Sequence, residues 1–286
     1  DNSVTIKVGD DRAVPVIPNY DFGENTPEIR DGKGELWMAA EARTRRIRLP
    51  AAIAYARANR LNYCSHGSDE PRFGIVSAGK AWTDILQALH DLGIDEQRAA
   101  ELGIVVYKVG MIYPHDLEGY RDFCNGLDEV LVVEEKRQQM EGAVKDACYG
   151  LPEEDRPNVV GRYDERGDIL VDELGEMTPE KAAAVIAQRI AYFYKESSVH
   201  ARLQNVTDSA EKMQAIPALP INRMPYFCSG CPHNLSTKTP DGSRAQGGVG
   251  CHGMALYMER GVVNWTQMGG EGANWIGESQ FVKEGH

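Results

Sequence analysis

Short apolar runs alternating with amphipathic helical patterns constrain this chain more than any other feature. Gly74–Ser77, Ile104–Val109 and Val130–Val133 are too short for helices and apolar enough to be strands buried on both faces. After the first run, Trp82, Ile85, Leu86 and Leu89 recur at i, i+3, i+4 and i+7, one face of a helix. The second run leads through Pro114 to a helix near Asp116–Cys124, and the third leads to a helix aligning Met140, Val144 and Cys148. Val159 and Val160 fit a fourth strand, and a closing helix over Pro179–Tyr194 turns Ile186, Ile190 and Phe193 inward. Strands alternating with helices predict a parallel sheet covered on both faces, an α/β domain over residues 73–195.

The flanks differ. Residues 1–72 are expected to be connector or linker, with loop or edge structure at Val14–Pro18 and Glu28–Lys33 and one helix over Pro50–Asn59. The basic run Arg43–Arg48 before that helix is expected to be a solvated or linker surface. Cys64 and His66 are placed on a loop. Residues 196–222, polar and then spaced by prolines, are expected to be a linker, and residues 223–286 form a second region.

Charge excludes some functions. The net charge of −12 argues against general nucleic-acid binding, because a polyanion repels such a surface. Residues 202–286 carry seven basic and seven acidic side chains, so the acidic excess lies upstream. No apolar run approaches the roughly 18 residues of a membrane span, and no signal-peptide pattern is visible after Asp1. Six cysteines without a secretory context point to reduced thiols or metal ligands and to the cytoplasm. A first residue other than Met leads us to expect a piece of a longer chain.

Within the α/β region little chemistry is visible. Ser77–Lys80 is too short for a phosphate loop. Glu134, Glu135 and Lys136 stand at a strand's C-terminal end, where α/β sheets place ligands, although a solvated edge is the simpler expectation. Cys124 and Cys148 fall on apolar helix faces as core residues.

The second region is where cofactor chemistry concentrates. Twelve of the 29 glycines fall between Tyr226 and His286. Cys228 and Cys231 form a Cys-x-x-Cys hook, Cys251 follows, and His233 and His252 stand beside cysteines. Thiolates in this pattern suit zinc or an iron–sulfur cluster; buried free thiols are the alternative. Gly247–Gly250 and Met268–Gly272 are glycine turns of the kind that brings backbone N–H groups to an anionic cofactor.

The runs FCSGCPHNLSTKTPDGSRA, GGVGCHGM and TQMGGEGANWIGESQF resemble the start of the thiamine-diphosphate domain of indolepyruvate:ferredoxin oxidoreductases. These belong to the 2-oxoacid:ferredoxin oxidoreductase superfamily, and the likeness is to its long fused bacterial type. Upstream, GIVSAGKAWTDILQALHDLGID and LDEVLVVEEKR resemble its transketolase-C-like α/β domain, and RTRRIRLPAAIAYARANRLN its connector helix. The resemblance covers nearly the whole chain.

It implies oxidative decarboxylation of indolepyruvate or other arylpyruvates to the aryl-acetyl-CoA, with electrons passing through [4Fe-4S] clusters to ferredoxin. Thiamine diphosphate with Mg²⁺ and CoA are implied with it, as are the remaining domains of a parent polypeptide and a homo-oligomer. Cys228, Cys231 and Cys251 match three cluster ligands. Gly250, Cys251 and His252, with Met268, Gly269, Gly270 and Glu271, match the thiamine-lining turns. The departures are a missing Gly-Asp-Gly for Mg²⁺ and diphosphate and a missing fourth cysteine, so the expectation is a fragment inactive by itself. The alternative is an interaction module stapled by zinc on Cys228, Cys231, Cys251 and one of His233 or His252.

Overall fold

The computed structural model describes residues 14–21, 36–193, 197–214 and 224–282. The chain divides into two compact units, Asp1–Ala215 and Ile216–His286. The stretch Glu28–Lys33 and the proline-spaced residues 216–221 lie outside the described residues.

In the first unit a continuous helical stretch comes before the sheet. It comprises α1 (Trp37–Arg43), a π-helical turn (Thr44–Arg48) and α2 (Leu49–Ala58), with Pro50 in the first turn of α2. The basic run is therefore helical, with Arg45 and Arg46 exposed as a solvated surface would have them. Residues 14–21 form no strand, and Val16 is held through both backbone groups by the Asn59 side chain.

The elements then follow as β1 (Tyr63–His66), β2 (Phe73–Ala78), α3 (Gly79–Asp91), α4 (Glu96–Glu101), β3 (Ile104–Val109) and α5 (Leu117–Cys124). After these come β4 (Glu129–Val133), α6 (Met140–Tyr149), β5 (Asn158–Val160), α7 (Pro179–Phe193) and α8 (Ser197–Gln214).

The sheet order is β1-β3-β2-β4-β5, parallel except for β1, which runs antiparallel to β3 with Cys64 opposite Tyr107. Strand alternation sorts the side chains into two cores. Phe73, Ile75, Ile104, Val106, Leu131 and Val133 pack with α3, α7 and Val199 of α8. On the other face, Val76, Val105, Tyr107, Val130 and Val132 pack with α5 and α6. Gly74 has a packing reason: a Cβ there would stand 2.7 Å from the Leu127 side chain.

Two expectations need correction. Cys64 and His66 lie on a strand, not a loop, so the sheet begins upstream of Phe73. Residues 197–214, expected to be linker, form α8, which packs through Val199 and Leu203. These two and Val206 are spaced i, i+4 and i+7, a narrow apolar stripe in an otherwise polar segment.

Polar side chains lock the first unit together. Arg189 Nε donates to Glu129 Oε1 at 2.6 Å, a second guanidinium nitrogen reaches Oε2, and both side chains are at most 4% exposed. Asn158 donates to the same carboxylate at 3.0 Å, and Glu165 accepts from Arg189 at 3.0 Å. Burial alone would lower the Arg189 pKa, but hydrogen bonding to Glu129 and the charges of Glu129 and Glu165 raise it. Asp116 caps α5, accepting from Gly119 N at 3.0 Å, and is clasped by Arg57 of α2.

The second unit is smaller. It contains α9 (His233–Ser236), β6 (Ala245–Gly247), a 3₁₀ segment (Cys251–Tyr257), β7 (Val262–Trp265) and α10 (Ala273–Glu278). β6 and β7 pair in parallel over a core of Phe227, Ala255 and Val262. Among the described residues no helix is long and apolar enough to cross a membrane.

Candidate functional site

The charged strand end of the first unit is occupied by its own structure. Glu134 accepts from the N–H groups of Met140 and Glu141 at 2.9 and 3.1 Å, so it caps α6. Glu135 accepts from Met177 N at 2.9 Å, and Lys136, at φ +72°, donates to the Gly175 carbonyl. All three are committed to chain-to-chain bonds. Ser77–Lys80 is likewise occupied: Ser77 Oγ donates to Val133 O at 2.7 Å, and Lys80 Nζ binds Asp84 and the Met177 carbonyl. Cys124 and Cys148 are buried in the core against each other, and this contact together with burial pushes the Cys124 thiol up.

In the second unit the Cys-x-x-Cys hook closes as a turn. Cys231 N donates to Cys228 O at 3.0 Å, with Gly230 at φ +76°. Cys231 Sγ lies 3.2 Å from His233 Nδ1, and His233 stacks on Phe227 with ring centroids 5.3 Å apart. The His233 and His252 rings are 6.4 Å apart. Cys228 and Cys251 are exposed. Among the described residues no group of three or more His, Cys, Asp or Glu side chains is arranged to hold a metal ion. The three cysteines as placed therefore do not form a ligand set for a cluster or for zinc.

The two glycine turns do come together. Gly248 N donates to His252 Nδ1 at 3.1 Å, and a Cβ on Gly248 would stand 3.4 Å from the Glu271 side chain. Gly250, Gly269 and Gly272 have positive φ, and a Cβ at any of them would meet nothing within 4 Å. The Thr266 hydroxyl is buried without a partner, and a Cβ on Gly270 would lie 3.9 Å from it. Gly248 thus brings His252 of the first turn and Glu271 of the second to one place, while Gly250 and Gly269 face open space. Met268, 72% exposed, points to solvent, and Cys251 is exposed.

The Met268–Gly272 turn was expected to offer backbone N–H groups to an anion, yet Glu271 takes the Gly269 N–H at 2.8 Å. The turn thus carries a carboxylate, beside the buried Thr266 hydroxyl.

A second feature was missed from sequence. Arg244, Gln246, Gly272 and Trp275 line a cleft of about 490 Å³. Arg244 and Gln246 stand two apart at β6 and so on one face of an extended strand, which was the available signal.

Fold and sequence together define an α/β protein with a glycine-rich second unit. The family profile described as "Indolepyruvate oxidoreductase domain" matches residues 63–214, from β1 to the end of α8. The chain belongs to the indolepyruvate oxidoreductase domain family. It is 27% identical over 232 residues to "Indolepyruvate oxidoreductase subunit IorA" of Thermococcus kodakarensis, covering 75% of this chain and 32% of the relative. It is 31% identical over 175 residues to the IorA subunit of Methanothermobacter marburgensis, covering 60% of this chain and 23% of the relative. The chain thus spans about a third or less of the length of these relatives. A 2-oxoglutarate:ferredoxin oxidoreductase from Magnetococcus marinus matches at 15% identity and a TM-score of 0.32, over 54% of this chain and 24% of that one. That likeness is too low to position any residue.

Proposed function

We propose that this chain is part of a thiamine-diphosphate-dependent oxidoreductase of the long fused bacterial type. It decarboxylates indolepyruvate or related arylpyruvates oxidatively to the aryl-acetyl-CoA, with ferredoxin as electron acceptor. The observation that carries the reading is the family match over 63–214, followed by the paired glycine turns of the second unit. Thiamine supplies an electron sink for the carbanion left by decarboxylation.

In this reading the chain's residues wall the cofactor's ring end. Gly250, Gly269 and Gly272 would leave room for close approach, and Glu271 would present an acceptor. The Gly-Asp-Gly that would hold the diphosphate and Mg²⁺ does not occur in this sequence. A cluster on Cys228, Cys231 and Cys251 carries no step here, because those thiols do not converge as placed. The same geometry counts against the zinc-stapled module.

The test is anaerobic turnover by the intact enzyme carrying this chain, with indole-3-pyruvate, CoA, thiamine diphosphate, Mg²⁺ and ferredoxin. Reduced ferredoxin and a CoA thioester are expected in step with CO₂. Failure to turn over any aryl 2-oxo acid contradicts the proposal.

A further inference from the structure

The cleft beside β6 contains an amide whose orientation is forced. Glu278 of α10 accepts from Arg244 Nη1 and from Gln246 Nε2, each at 2.8 Å. A carboxylate only accepts, so the amide nitrogen of Gln246 must face Glu278 and its oxygen must turn away. That oxygen, Oε1, is buried and has no donor. A buried acceptor left unpaired is destabilising, and in folded proteins such atoms are matched by protein, water or ligand. Gln246 lines the cleft of about 490 Å³ with Arg244, Gly272 and Trp275, and the Arg244 guanidinium lies 5.8 Å from the Trp275 ring centroid. At Gly272, with φ +83°, a Cβ would meet nothing within 4 Å, which leaves that wall open for a flat group. An aromatic wall, a cation and a covered acceptor are the partners of a flat acid that carries a ring N–H.

We infer that Gln246 selects the ring of the substrate: the cleft seats a heteroaryl 2-oxo acid whose ring N–H donates to Gln246 Oε1 and whose face lies on Trp275. This rests on the oxidoreductase reading above. Glu278 is a positioning residue that engages the amide nitrogen and so leaves the oxygen as the end available to the ring N–H, and Arg244 supplies positive charge for the acid group. A small side-chain rotation of Gln246 uncovers Oε1 as the ring enters. A phenyl ring leaves that oxygen unpaired, and an N-methylated indole both removes the donor and crowds the acceptor.

The experiment compares indole-3-pyruvate, 1-methylindole-3-pyruvate and phenylpyruvate with the intact enzyme. The unsubstituted protein is expected to prefer indole-3-pyruvate over its N-methyl analogue by about tenfold or more in kcat/KM, the size of one buried hydrogen bond to a site built for it. Gln246→Leu is expected to remove that preference, bringing the ratio of the two indole substrates close to one. Calorimetry on the 286-residue chain, with indole-3-acetate against 1-methylindole-3-acetate, reads the same preference without turnover.

A ratio near one in the unsubstituted protein overturns the inference whether or not the variant folds. So does a Gln246→Leu enzyme with weakened thiamine diphosphate binding and an unchanged indole ratio, which would assign Gln246 to the cofactor. If no aryl 2-oxo acid is turned over, the oxidoreductase reading fails separately. Binding of indole-3-acetate with the N–H preference would then still support the ring-selecting role, and absent or indifferent binding would overturn it.

Discussion

Replacing Arg189 by Met is expected to destabilise the first unit more than any surface substitution. The guanidinium satisfies both oxygens of Glu129, Nε donating to Oε1 at 2.6 Å, and both side chains are at most 4% exposed. Among the described residues, removing it leaves the Glu129 carboxylate with Asn158 as its remaining hydrogen-bond partner at 3.0 Å and no opposing charge in contact. Breaking a buried pair from one side costs about 3–5 kcal/mol, mostly the desolvation of the stranded charge. For a unit of this size that corresponds to roughly 10 °C in Tm. Arg189→Met together with Glu129→Gln removes the stranded charge and should recover a good part of the loss, giving a coupling that a double-mutant cycle reads. The assay is urea unfolding followed by far-UV circular dichroism at low and high salt, with little salt dependence expected because the pair excludes solvent. A loss below about 1 kcal/mol, the size of an exposed ion pair, would refute this reasoning.

Other outcomes follow from particular contacts. The Arg57 hydrogen bond and the Gly119 N–H hold the Asp116 pKa down against the opposing effect of burial. Its stabilisation is therefore complete above the unfolded value near 4 and is lost as pH falls below it; urea midpoints from about pH 6 to 2 should fall less in Asp116→Asn than in the parent. Gly161→Ala would place a Cβ 2.3 Å from the buried Glu141 carboxylate and should destabilise by about 1–3 kcal/mol, whereas Gly142→Ala in α6 meets open space and should stabilise by about 0.5–1 kcal/mol. Thermal melts of the two variants should move in opposite directions. In thiol titration, Cys228 and Cys251 should react in the native protein and Cys124 and Cys148 only after unfolding; rapid native labelling of the last two would contradict their burial.

The central strands and their covering helices were legible because they combine apolar runs with helical periodicity, and Phe73–Ala78, Ile104–Val109 and Glu129–Val133 lie where those runs are. β1 escaped because Tyr63–His66 is an edge strand with polar and half-exposed residues, whose pairing with β3 is set by tertiary contact. α8 escaped because only a narrow stripe of its surface is apolar. At the site, the glycine turns were visible as sequence. That Glu134 and Glu135 are spent on capping and bridging, and that Gln246 Oε1 lacks a donor, depends on partners between 6 and 42 residues away. Spacing within a motif carries no information about such partners.

The most direct test of the central claim is equilibrium binding of thiamine diphosphate with Mg²⁺ to the intact enzyme, comparing Gly250→Ala and Gly269→Ala with Gly277→Ala. The first two positions have positive φ, and at all three a Cβ would meet nothing within 4 Å, so Gly277→Ala controls for the added methyl alone. Binding weakened by about tenfold or more at Gly250 and Gly269, unchanged at Gly277 and with native circular dichroism throughout, is the expected result. Equal affinity in all three variants would contradict the assignment of these turns to the cofactor.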